Sequence, residues 1–88
     1  MTLKEFKKSI IEGEFYAAYH QFKNSKKTTF LGVREVDHVN SVGFGFISEK
    51  GASYCRWPKK SELEIIENGF VINNEICKLT YIKDEVLK

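Results

Sequence analysis

The apolar residues of this chain change period once, at Gly13, and that change limits the fold more than any other feature. Before it, Leu3, Phe6, Ile10 and Ile11 recur at helical spacing, with Lys4, Lys7, Lys8 and Glu12 on the other face. Thr2 and Glu5 fit a capping box, in which each side chain accepts from the other's backbone N–H. Gly13 stands where helices commonly stop in the left-handed conformation. One amphipathic helix of about three turns is predicted. Its basic face reads as solvated surface.

After Gly13 the period is two, and strands are predicted over 15–22, 28–36, 42–48, 52–57, 63–67, 70–73 and 75–82. Gly32 marks a bulge, 37–41 a loop, and Pro58 ends a strand because it cannot donate to a ladder. Glu49-Lys50-Gly51 makes a tight hairpin turn. Asn68-Gly69 makes another, of type I′, with positive φ expected at both residues. Segment 75–82 is long, apolar and free of Pro, and it is expected at a sheet edge.

Short connections favour a sequential antiparallel meander. The fold class is therefore α+β, one N-terminal helix packed on a curled antiparallel meander of five or six strands, or on a partial barrel. Tyr16-Ala17-Ala18-Tyr19 is apolar on both strand faces, which favours curling or a partner surface over an open flat sheet. Residues 1–84 are expected to form one domain, with 85–88 a frayed tail.

A chain of 88 residues has room for one core. Its 42% apolar and 30% charged content argues against disorder. The net charge is +2, and twelve of fourteen bases are Lys, so the balance permits nucleic-acid binding without recommending it. No run approaches the roughly 18–20 apolar residues of a membrane span, and the first residues lack a signal peptide's apolar region. Cys55 and Cys77 are too few for a secreted disulfide scaffold. A cytoplasmic protein with reduced thiols, not bound to membrane, is expected.

Val42-Gly43-Phe44-Gly45-Phe46-Ile47 resembles the first ribonucleoprotein motif of cold-shock and RNA-recognition domains. Those families display sheet aromatics that stack bases, so the resemblance implies a single-stranded nucleic-acid binder using Phe44 and Phe46. It covers these residues alone. Val42 stands where the families carry a basic residue, and Glu49 where RNA-recognition domains place an aromatic. The same rings facing inward would be core.

Arg56-Trp57-Pro58-Lys59-Lys60 holds the one Trp and the one Pro, a composition suited to a binding hot spot. Trp57, Arg56, Lys59 and Lys60 are the candidate partner- or ligand-binding residues; otherwise Trp57 caps the core and the lysines begin a loop. His20, His38, Cys55 and Cys77 are of metal-ligand type but lack paired spacing, so no metal or other cofactor is expected. Asp37-His38 could orient an imidazole for acid–base work, and either cysteine could be a nucleophile. No phosphate-cradling loop, nucleophile elbow or paired-carboxylate pattern accompanies them, and no catalytic residue is assigned.

The function expected from these features is a non-enzymatic interaction module acting on a protein partner or a nucleotide-like ligand. A compact chain rich in Lys, Ile and Asn is similar to small proteins of AT-rich bacteria and their phages, which implies an inhibitor or sequesterer. A homodimer through a sheet edge or an apolar outer face is also expected.

Overall fold

A computed structural model describes residues 2–84; the tail expected at 85–88 lies outside them. One helix, α1 (Leu3–Ser9), precedes seven strands: β1 (Phe15–Phe22), β2 (Thr29–Val39), β3 (Gly43–Ser48), β4 (Gly51–Arg56), β5 (Leu63–Ile66), β6 (Gly69–Asn73) and β7 (Cys77–Asp84). All pairings are antiparallel, in one open sheet of order β4-β3-β2-β1-β7-β6-β5.

The N-terminus forms the anticipated capping box, with the Glu5 N–H donating to Thr2 Oγ1 at 3.1 Å and the Thr2 N–H to Glu5 Oε1 at 2.9 Å. The helix is shorter than its apolar stripe, because the chain turns extended at Ile10. Gly13 has φ +91°, but it lies beyond the helix, where its N–H donates to the Val36 carbonyl at 2.8 Å. Phe6 and Ile10 are buried, whereas Ile11 is 53% exposed, since leaving the helix turns it away from the stripe.

The sheet has seven strands, one in each segment predicted as extended, where the curled meander was expected to hold five or six. Its order is not a simple meander: β1–β4 and β5–β7 are two meanders joined by the long-range pairing of β1 with β7, which matches Phe15 to Asp84 and Phe22 to Cys77. This places β7 inside the sheet, between β1 and β6, and corrects the expectation that 75–82 forms an edge. The edges are β4 and β5.

Two bulges bend β2. Between Ala18 and Tyr19 the register skips Leu31, with Gly32 at φ +102°, a conformation that favours glycine. The second falls at Asp37, inside the span read as a loop. The first strand pair of the second meander turns on Glu67-Asn68: Ile66 pairs with Gly69, and the positive φ is on Asn68 alone, at 61°. Gly69 is instead a strand residue whose added β-carbon would collide with the Tyr81 carbonyl oxygen.

Phe6, Ile10, Tyr16, Ala18, Val36, Phe44, Phe46, Phe70, Ile72 and Tyr81 form the core, drawn from α1, the residue that follows it and one face of the sheet. Tight curling brings the rings together. Phe44 of β3 and Phe70 of β6 stand four places apart in the sheet, yet their centroids lie 6.2 Å apart. Phe46 stacks on Tyr81 of β7 at 5.1 Å and 9°. Phe6 reaches from the helix to Phe70 at 4.8 Å and to Trp57 at 6.1 Å, both edge-on. The connection 57–62 links opposite edges of the sheet. Flat, those edges would be roughly 29 Å apart at strand spacing, but the connection reaches at most about 25 Å. A flat sheet is sterically ruled out.

Candidate functional site

The structure distributes the candidate residues between the core and the surface. Phe44 and Phe46 are 0% and 2% exposed. Each ring is packed against others and neither has a face free for a base, which is the inward, core alternative of the motif. Val42, two residues before Phe44, is exposed because the chain is still in the loop before β3. Trp57 is half-buried and engaged on each side. Its ring leans on Phe44 at 5.0 Å, Lys7 Nζ lies 5.7 Å from its centroid, and its Nε1–H donates to the Asn40 carbonyl at 2.9 Å. Pro58 is buried behind it, while Arg56, Lys59 and Lys60 are exposed. The Lys59 N–H donates to Glu62 Oε1 at 3.0 Å, so the lysines begin a closed turn.

The face of the sheet opposite the core carries a cluster that does assemble. Asp37 is the extra residue of a bulge, and a bulge redirects the side chains around it. Asp37 and His38 both come to lie over Gly45, where a β-carbon would collide with the imidazole. His38 Nδ1 lies 2.9 Å from Asp37 Oδ1, and the ring stacks on Tyr54 at 5.4 Å and 9°. Asn40 ties the cluster to the β2–β3 turn. Its Oδ1 accepts from the Val42 and Gly43 N–H groups at 2.9 and 3.0 Å and from the Tyr54 hydroxyl at 3.2 Å.

Chemically, this is an oriented imidazole with a carboxylate partner on an open surface. The His38 and Asp37 side chains are 46% and 34% exposed, so water competes for any proton they would transfer. General-base chemistry gains most where water is excluded, and this pair is open to solvent. Tyr54 and Asn40 were not singled out in the sequence. The turn at Glu49-Lys50 contained the signal for Tyr54, because a two-residue turn pairing Ser48 with Gly51 also pairs Gly45 with Tyr54.

Both cysteines are free and half-buried. Burial, then the Glu62 charge, pushes the Cys55 thiol up, which suppresses the thiolate a nucleophile needs. Among the described residues no three His, Cys, Asp or Glu gather as a metal site.

Alternation and register place a larger apolar surface on the same outer face. Tyr16 and Ala18 point into the core, so Phe15, Ala17 and Tyr19 point away. Ala17 pairs with Val33 and Ile82, and Tyr19 meets Phe30, which is 56% exposed, at 5.2 Å. Phe15, Val33 and Ile47 floor a shallow groove of about 350 Å³, with Glu35 and Glu49 among its lining. A second cleft, of about 230 Å³, lies between α1 and the β5–β6 pair, with Tyr16 and Lys83 in its wall. No helix among the described residues is long and apolar enough to cross a membrane. Comparison with known protein families, with curated proteins and with solved structures finds no match to this chain.

Proposed function

We propose that this chain is a non-enzymatic interaction module that binds a protein partner through the outer face of its sheet. One observation carries the reading: α1 covers one face, while the outward rows of β1–β3 hold Phe15, Tyr19, Phe30, Val33 and Ile47 with no element of the described residues laid over them. Phe30 and Ile47 are exposed and Phe15, Tyr19 and Val33 half-buried, and contiguous apolar surface open to solvent marks interaction sites. The carboxylates of Glu35 and Glu49 beside the groove favour a partner that is apolar with basic residues at its rim.

The docking surface is thereby moved from Trp57, whose ring is already engaged, to the sheet face, with Arg56 at its margin. A small chain of this kind acts by occupying a surface, as an inhibitor or sequesterer in the cytoplasm. The test is capture from an extract of the native host with wild-type chain and with Phe30→Asp and Ile47→Asp variants that keep the wild-type circular dichroism. Proteins retained by the wild type and lost by both variants are expected. Equal retention by all three removes the outer face as the binding surface. Salt-sensitive binding of a mixed oligonucleotide, unaffected by either variant, would favour the nucleic-acid reading instead.

A further inference from the structure

We infer that the free edge of β4 pairs with β4 of a second copy, in an antiparallel register centred on Tyr54. In an antiparallel ladder, successive residues turn their N–H and C=O groups alternately toward and away from the neighbour. The Trp57 N–H donates to the Val42 carbonyl at 3.1 Å, and Ser48 pairs with Gly51 across the turn, so Gly51, Ser53 and Cys55 bond to β3. Ala52, Tyr54 and Arg56 then turn their backbone groups to the open edge, and all three residues are exposed.

Most of the usual protections of an edge are missing, and Arg56 at its end is the one charge on β4. β4 carries no Pro and no Lys, and its six residues have no bulge against β3. The opposite edge, β5, is only four residues long and includes Glu64.

The occupant is specified by self-complementarity. With Tyr54 opposite its own equivalent, Ala52 falls opposite Arg56 of the second copy and Arg56 opposite its Ala52. All three outward residues then engage, for about six backbone hydrogen bonds, and the two Arg56 charges are kept apart. Moving the centre to Ser53 or Cys55 leaves one outward residue unpaired in each copy. A two-fold axis through Tyr54 also joins the outer faces, so the His38–Tyr54 stack of one copy continues into that of the other.

Proline at position 52 removes an N–H that points to solvent in the monomer, a place where edge strands accept Pro. Sedimentation equilibrium should therefore show wild-type dimer at micromolar concentration and an Ala52→Pro variant whose self-association is weakened by more than about tenfold, with its circular dichroism unchanged. A second variant covers loss of folding by the first. Tyr54→Cys, combined with Cys55→Ser and Cys77→Ser, should cross-link on mild oxidation, because Cα atoms of a hydrogen-bonded pair lie about 5.5 Å apart. Phe30→Asp should remain dimeric, which separates this interface from the partner-binding face.

A wild-type chain that stays monomeric overturns the inference. So does a dimer lost in Phe30→Asp, or one that cross-links through native Cys55 faster than through Tyr54→Cys.

Discussion

At Gly45 an added β-carbon would meet the His38 ring and the Asp37 carboxylate, whereas at Gly43 it would meet the backbone carbonyl of Cys55. A side-chain end can swing aside and a paired strand cannot. Gly45→Ala should therefore cost less than about 1 kcal/mol while breaking the His38–Tyr54 stack, seen as a change in the His38 imidazole NMR shifts. Gly43→Ala should cost about 1–3 kcal/mol by forcing β3 and β4 apart, read from urea unfolding. The two glycines look alike in the motif, and their difference depends on what lies across the strand. Tyr16 and Tyr81 are a second residue-scale case. Burial pushes both hydroxyls up to about 12, with nearby Glu14 adding to the effect at Tyr16 and Cys55 at Tyr81. The unfolded chain ionises first, near pH 10, so the stability due to their neutral forms is complete below that and is lost as pH rises from about 10 to about 12. Ultraviolet titration should show a late phenolate step coincident with loss of circular dichroism. Titration of every tyrosine near 10 in the folded protein would contradict their burial.

The helix and hairpins show how far local sequence reaches. The capping box was legible because both partners lie within one turn, but the helix end was not. The apolar stripe continues to Ile10 because that residue is buried by tertiary packing after the helix has stopped. Phe6→Ala should cost about 3–5 kcal/mol, since its ring joins the helix to Phe70 and Trp57, whereas Ile11→Ala should be near neutral. Thermal melts of the pair check this. The turn at Asn68-Gly69 was legible as a turn, with the positive φ misassigned. Gly69 is required by the close approach of β7, a strand eight residues further on, and local turn chemistry carries no sign of that contact. The β1–β7 pairing was illegible for the same reason: nothing within either segment favours it over the neighbouring hairpins. The face assignment of the aromatic strand followed from it, because the rings of Phe44 and Phe46 are closed over by β6 and β7.

At the scale of the whole molecule, the curl has two candidate causes: the short connection 57–62, which cannot span a flat sheet, and the core, which pulls distant strands together. The ring distances favour the core. Phe46 on Tyr81 and Phe44 near Phe70 are contacts between strands three and four places apart, and each buries aromatic area. The two bulges in β2 bend the sheet at the strand between these contacts and so contribute to the same curvature. If the core holds the curl, the connection merely accommodates it. Inserting six Gly and Ser residues between Lys59 and Lys60 doubles its length, at an entropic cost of about 0.6 kcal/mol. The insertion opens the exposed Lys59–Glu62 turn but leaves Trp57 and Pro58 in place, together with the hydrogen bond from Trp57 to Asn40. Urea unfolding should then show a loss below about 1 kcal/mol, with the near-ultraviolet aromatic signal of the core retained. A loss of several kcal/mol, or collapse of that signal with strand content preserved, would assign the curl to the connection and leave the ring cluster as its consequence.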